Sequence, residues 1–482
     1  MKNSSILTGI ILIVLYAHIF AQPDRSKVPA IPPAPELNLP AVQQFDLSNG
    51  LKVYFMEKHE VPLVQLNILV KTGSVNDPNE KSGIAGLMAD MLDEGAAGKT
   101  ALQIADEIDF LGAEISSGAG MHFSSVNLHT PLSKFDQALR ILSQIVLTPD
   151  FPENELDRLK KERLTTILQW HDDPRSIASV AFSQLLFSKN HPYGRPSIGN
   201  EVSIRNISAA DLKDFHNRYF KSNNAYVITV GDITKEKLTA ALEESFGKWQ
   251  KGDVPQVKLK EPEQVKNRIV YLIDKPGAPQ SVLSMGRVGL PRLSKDYFPV
   301  SVMNTVLGGS FSSRLNQNLR EQHGYTYGAF SSFGFRPLPG PFSAQASVQT
   351  EVTDSALIQF LKELNDISAE IPEQELSRAK NYLALGYPSN FQTVRDIAGQ
   401  LAEIVQYSLP EDYFNEYIPS VNEVDAAKAI DAAKKYIVPD QMIIVVVGDR
   451  SKIEEGIRRL NLGEIKNLSV TDVLGAIPEV VQ

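Results

Sequence analysis

Histidine is the side chain best suited to hold a metal or move a proton near neutral pH, and the chain has eight. His18 sits in an apolar N-terminal run, which leaves His59, His122, His129, His171, His191, His216 and His323. No two of these seven share a spacing that puts both on one face of a helix. His122 and His129 are seven apart in a strand-like stretch, so they turn to opposite faces. Each is read as a surface or hydrogen-bonded residue. With no cysteine in the sequence, disulfides, thiolate catalysis and Cys-based zinc or iron–sulfur sites are excluded. Arg320 and Tyr327 stand in the stretch NLREQHGYTY. Gly324 between them argues against one continuous helix, so Arg320 falls at a helix end and Tyr327 on the strand that follows. On composition alone, Arg320 also fits a solvated charge and Tyr327 a core residue at a Gly/Tyr-rich strand entry.

The elements that must position these residues are written twice. Residues 219–232 read YFKSNNAYVITVGD and residues 436–449 read YIVPDQMIIVVVGD. They superpose without a gap, aligning Tyr219 with Tyr436, Gly231 with Gly448 and Asp232 with Asp449. Each copy follows a helix-like segment, at 208–219 and 424–436, and precedes an amphipathic one, at 235–249 and 451–460. Equal spacing of this kind predicts a duplicated half. The first half, 42–249, opens with strands at Val53–Met56 and Leu63–Val70. Helices follow at 82–94 and 101–111, then strands in 113–130 and helices at 134–146 and 153–171. The second half, 267–482, repeats the order, with strands at 268–273 and 280–287 and helices near 296–307 and 312–322. Strands in 325–350 and helices at 354–368 and 372–387 complete it. Polar residues 250–266 read as the linker. Such mixing of strands and helices predicts an α+β fold rather than a doubly wound parallel sheet.

A chain of 482 residues exceeds one core, in keeping with two halves. Net charge is −9 with no Lys/Arg block, which argues against a nucleic-acid or anionic-membrane surface. Lys2, the apolar run Ile6–Phe20 and small Ala21 follow the order of a secretory signal, so residues 1–21 predict export to the periplasm or outside the cell. An uncleaved anchor helix is the alternative. Residues 22–41 form a Pro-rich lead-in. No other segment is long and apolar enough to span a bilayer, so no membrane association is expected once the signal is removed.

Several stretches in this order resemble the M16 (insulinase/pitrilysin-like) metallopeptidases of the bacterial two-halved type. They are NGLKVYFMEKHEVPLVQLNILVKTGS (49–74), SGIAGLMADMLDEG (82–95), HPYGRPSIG (191–199), GGSFSSRLNQNLREQHGYTY (308–327) and the two VGD turns. The resemblance covers nearly all of the chain after the signal. It implies α+β halves, each of mixed sheets covered by helices, in a clam-shell arrangement. In active members the first of these helices carries an inverted zinc motif, H-x-x-E-H, with two imidazoles on one helical face and a Glu handling the proton of the bound water. Here Gly86 stands at the first His, Ala89 at the Glu and Asp90 at the second His. Gly and Ala offer no donor atom. The family's later Glu ligand falls around Thr165–Ile167, where no carboxylate stands, and Glu162 lies about one turn away. This chain is therefore expected to bind no metal of its own.

The resemblance also assigns Arg320 and Tyr327 to a pair that faces the zinc in active members and stabilises the charge developing on the scissile carbonyl oxygen. The Gly308-Gly309-Ser310 approach belongs to the same match. A chain with that pair and no zinc motif resembles the non-zinc subunit of a two-chain endopeptidase. Its zinc is expected on an H-x-x-E-H-bearing partner homologue, and its substrate is a peptide or unfolded protein. Family members add such a peptide to a sheet edge near the motif helix, here Gly112, Ala113, Glu114, Ile115, Ser116 and Ser117. An ordinary strand leaving a helix is the other reading of that stretch. Two further functions stay open: a catalytically inactive binding or scaffold protein, and an autonomous enzyme with substitute ligands around Asp90, which no His neighbours.

Overall fold

Alternating apolar residues set the framework. In Leu63–Val70, the side chains of Val64, Leu66, Ile68 and Val70 are fully buried on one face, while Gln65 and Asn67 point to the other. This strand, β3, lies inside a six-stranded sheet. Its other members are β1 (Gln43–Asp46), β2 (Lys52–Glu57), β6 (Glu114–Ala119), β7 (Ser124–Pro131) and β8 (Ala225–Gly231), in the order β1-β2-β8-β3-β7-β6. Only β2 and β8 run parallel. A small hairpin of β4 (Gly95–Ala96) and β5 (Lys99–Thr100) stands apart. The structure is a computed structural model that describes residue 37 and residues 39–479. The signal-like segment 1–21 and lead-in residues 22–36 and 38 lie outside the described residues. Residues 250–266 carry neither helix nor strand.

The second sheet repeats the first. It contains β9 (Ile269–Asp274), β10 (Gln280–Val288), β11 (Thr326–Phe333), β12 (Pro341–Gln349), β13 (Ile443–Gly448) and β14 (Glu464–Leu468), ordered β11-β12-β10-β13-β9-β14. Reading the first sheet backwards pairs β6 with β11, β7 with β12, β3 with β10, β8 with β13 and β2 with β9. The match includes the parallel β2/β8 and β9/β13 ladders. The last edge differs. β1 joins β2 antiparallel from the N-terminal side, whereas β14 joins β9 parallel from the C-terminal side. Gly231 shows why the duplicated VGD turn needs its glycine. A Cβ there would sit 2.4 Å from Leu63 O, where the chain passes close to the start of β3.

Three helices of ten residues or more were not legible as elements: Pro174–Phe187, Val394–Tyr407 and Tyr413–Asn422. The first two exchange places. Helix 174–187 leaves the first half and packs Ile177, Ala181 and Phe182 against Val282, Ile443 and Val445 of the second sheet. Helix 394–407 leaves the second half and packs Ile397, Leu401 and Val405 against Met56, Leu69 and Ile228 of the first. Both starts carry a cap. Asp173 accepts from the N–H groups of Arg175 and Ser176, and Thr393 and Asp396 form a capping box. Two expected helices are shorter than their patterns. The segment at 82–94 is helical only over Ile84–Asp90, because Asp77 takes the N–H groups of Gly83 (2.7 Å) and Ala85 (3.1 Å) and starts the helix there. The segment at 312–322 is a π-helix over Asn316–Gln322. Among the described residues, no helix is long and apolar enough to cross a membrane.

Candidate functional site

The helix Ile84–Asp90 enters on Gly83, whose φ of +94° and close approach to Ile198 O (2.5 Å from a built Cβ) admit only glycine. Its Ala89 is fully buried and its Asp90 half-exposed. Above it lies the helix Glu153–Trp170, the one expected to lend a carboxylate. It lends a cation instead. Arg163, only 11% exposed, donates from Nη2 to Asp90 Oδ2 at 2.6 Å and from Nη1 to Gly83 O at 2.9 Å and Ile198 O at 3.4 Å. A Cβ on Gly86 would lie 2.9 Å from Arg163 Nη2. The guanidinium thus rests on the surface that the two imidazoles would otherwise share. Glu162 turns away and pairs with Arg158 at 2.7 Å, and the hydroxyls of Thr165 and Thr166 bond back to their own helix. Arg158 also reaches Glu94 and Glu155.

This donor set does not fit zinc. Gly86 and Ala89 supply no ligand atom, Asp90 is neutralised by Arg163, and no group of three or more His, Asp or Glu among the described residues could hold a metal ion. Beneath the helix, Asp77 is buried, and burial pushes its carboxyl up to about 7 against the opposing pull of the Gly83 and Ala85 N–H groups, Arg195 and Arg163. The seven histidines are scattered. His216 is buried and hydrogen-bonds Val146 O, His59 pairs with Asp232, His122 meets Tyr193 Oη at 2.8 Å, and His129 meets Gln65 Oε1 at 3.0 Å.

Tyr327 borders open space, whereas Arg320 is only partly exposed. Arg320 sits in the π-helical turn, an irregularity that recurs at functional positions. Its guanidinium stacks 4.2 Å from the Phe311 ring, and Nη1 has no hydrogen-bond partner, although Glu321 Oε1 lies 3.4 Å away. Tyr327 is 93% exposed at the start of β11, where the pairing with β12 is irregular between Thr326 and Ala329. It is therefore not a core tyrosine. Asn316 holds the turn to the strand by accepting from Ala329 N at 3.0 Å, and Tyr325 N donates to Leu319 O. The Gly308-Gly309 approach lies under β11, where Ser331 N bonds Gly308 O at 3.1 Å. A cavity of ≈ 500 Å³ adjoins Tyr327 and Phe330, with Arg175 and Ser179 from the exchanged helix on its other side.

The expected peptide edge is split. Gly112 is the left-handed cap of helix Ala101–Leu111 and Ala113 is buried, so the strand begins at Glu114. From Glu114 to Ala119, β6 pairs only with β7 among the described residues and leaves its outer edge free there. Glu114 is bonded at 2.6 Å to Arg395 of the exchanged helix, and Ser116 accepts from Asn127. Sequence reasoning missed Arg163. Its signal was a cation two residues before the expected acid, opposite a helix position reduced to glycine.

Comparison with known proteins agrees with this dissection. Residues 52–195 match the family model described as insulinase (peptidase family M16), and residues 206–383 match the model described as peptidase M16 inactive domain. A crystal structure of a peptidase M16 inactive domain from Pseudomonas fluorescens superposes with a TM-score of 0.79. It is 30% identical and covers 84% of this chain and 98% of its own. The Helicobacter pylori protein named non-peptidase homolog YmxG is 24% identical over 405 residues, 83% of this chain and 92% of its own length. A Rickettsia felis protein named as a zinc protease is 24% identical over 397 residues, 81% of this chain and 93% of its own. Those names diverge on chemistry but not on ancestry, and with the duplicated six-stranded sheets they place the chain in the M16 (insulinase-like) peptidase family.

Proposed function

We propose that this chain is a catalytically inactive M16 homologue that binds extended peptide without cleaving it. One observation carries the reading: the Arg163 guanidinium lies on Asp90 and against Gly86, where a Lewis acid and its imidazoles would have to be. A guanidinium has no coordination site with which to hold and activate a water as a Lewis acid does. The free edge of β6 supports peptide binding, because unpaired N–H and C=O groups there can extend the ladder. The signal-like N-terminus supports work in the periplasm or outside the cell, which N-terminal sequencing of the mature protein checks: it is expected to begin after Ala21. The test of the main reading is purified chain, supplied with zinc and an unfolded casein, assayed for bound metal, for binding and for cleavage. Binding without stoichiometric zinc or cleavage is expected. Stoichiometric zinc with cleavage overturns the proposal.

A second reading has its own support. Tyr327 is almost wholly exposed beside a cavity, and Arg320 is partly exposed in the turn that leads to it. In this reading the chain is the non-zinc subunit of a heteromeric zinc endopeptidase. An H-x-x-E-H homologue supplies the metal, and Arg320 and Tyr327 supply charge stabilisation. Mixing the two chains should restore cleavage that neither shows alone. Arg320→Ala or Tyr327→Phe should each lower it by a factor on the order of 100, the loss of one oxyanion donor. Full activity from both variants sinks this reading.

A further inference from the structure

Where the two halves meet, a cavity of ≈ 590 Å³ lies on the face of the first sheet that carries Asn67 and Asn127, beside Gly399 and Gln406 of the exchanged helix. The loop between β11 and β12 brings Arg336 to it. That arginine makes no side-chain hydrogen bond or ion pair among the described residues, and its Nη1 is buried without a partner. Its guanidinium is held 4.4 Å from the ring of Tyr193 and 5.4 Å from that of Phe187, so it cannot swing into water without losing both contacts. No Asp or Glu lines this cavity. None lines the adjoining one of ≈ 300 Å³, which shares His122, Phe123 and Tyr407 and adds Lys71. The local field is positive: His122 is pushed down to about 4 by burial and then by Arg336 and Lys71. A desolvated cation with no counter-charge is costly, and an anion reaching it offsets that cost.

The exchanged helix adds an independent sign. Gly399 lies in its middle, where glycine costs about 0.5–1 kcal/mol against alanine. No crowding explains it, since a Cβ built there meets nothing within 4 Å. Gly399 is exposed on the rim of the cavity and leaves that side without a side chain. A planar guanidinium beside side-chain amides and hydroxyls (Asn67, Asn127, Ser125) matches a carboxylate, which accepts two parallel bonds from arginine. Gly120–Phe123, directly after β6, form one wall, so the cavity opens at the end of the free sheet edge.

We propose that Arg336 and this inter-half cavity bind a carboxylate, with the C-terminal carboxylate of an extended peptide as its source. The proposal takes from the proposed function only that peptide is a ligand. Its test is calorimetric titration of the full chain with three probes: an unstructured ten-residue peptide with a free C-terminus, the same peptide amidated, and glutarate. The free acid is expected to bind about tenfold or more tighter than the amide, the range of one charge-assisted hydrogen bond. Arg336→Met should abolish the difference. Gly399→Leu, which fills the cavity from another element in a helix that tolerates it, should do the same. Glutarate binding that both variants remove, with no binding of either peptide, keeps the carboxylate site and sinks the peptide reading. Equal binding of acid and amide without glutarate binding overturns the site, as does any carboxylate binding that survives both substitutions.

Discussion

Replacing Arg163 by Met tests whether the cation at the degenerate motif is structural. Three acceptors lose their donor: Asp90 Oδ2 at 2.6 Å, Gly83 O at 2.9 Å and Ile198 O at 3.4 Å. Asp90 is 42% exposed, so its carboxylate rehydrates and the ion pair is worth less than about 1 kcal/mol. The shorter carbonyl bond comes from a charged, nearly buried donor and is worth about 1–2 kcal/mol, and the 3.4 Å bond less. Methionine keeps the apolar stem in place, and removing the guanidinium returns part of its desolvation cost. The net expectation is a loss of about 2 kcal/mol. Urea unfolding followed by Trp170 and Trp249 fluorescence and by circular dichroism measures it. A urea slope of about 3 kcal/mol/M puts the midpoint about 0.7 M lower. Asp90→Asn should cost less than about 1 kcal/mol, because the amide still offers an acceptor in a half-hydrated position. If Arg163→Met is as stable as the parent, or Asp90→Asn costs as much, the guanidinium is not what holds the two helices together. The variant should remain free of stoichiometric zinc, since Gly86 and Ala89 still lack donor atoms.

Burial pushes His216 down to about 4, so its folded pKa lies below the unfolded value and its stability contribution, on the order of 3 kcal/mol, is present above about pH 6.5 and lost as pH falls through 4. His216→Gln, which keeps a donor for Val146 O, should flatten that acid-side slope in a pH series of urea midpoints. Asp77 has the opposite sign. Its carboxyl is raised to about 7, so its contribution is full below about pH 4 and is lost as pH rises through 7, and Asp77→Asn should remove that slope in the same series. Ile177→Ala and Leu401→Ala, both at fully buried positions on the exchanged helices, should each cost about 2–5 kcal/mol. Each should lower the unfolding of both halves together by differential scanning calorimetry, and a split transition in which only one half is destabilised would refute the exchange as the source of coupling.

The duplication was readable because it is enforced locally. The Gly of each VGD turn is fixed by close packing, a Cβ on Gly231 or Gly448 lying 2.4 Å from Leu63 O or 2.6 Å from Ser281 Oγ, and the buried strands before the turns carry apolar runs, broken only by Thr229 in the first. The missing zinc ligands were readable because Gly86 and Ala89 have no donor in any conformation. Arg163 was not, because its role depends on the phase of a long helix against Ile84–Asp90, which no local pattern sets. Helices 174–187 and 394–407 carried start signals in Asp173-Pro174 and in Thr393 and Asp396. Their destinations lie across the molecule, and an apolar face does not say which sheet it will cover. The π-turn at Asn316–Gln322 looked like any amphipathic helix, because its one-residue insertion leaves the composition unchanged.

The exchange of helices bears on how a peptide could be handled. Drawing the halves apart would strip helix 174–187 from β10 and β13 and helix 394–407 from β3 and β8. Ile177, Phe182, Leu186 and Phe187 on one side and Val394, Ile397, Leu401 and Val405 on the other would be exposed together. At about 1.5–3 kcal/mol for each of these eight side chains, that is roughly 12–24 kcal/mol, far beyond a thermal hinge. The exchanged helices therefore hold the two halves together, and a peptide at the edge of β6 would meet them as one unit.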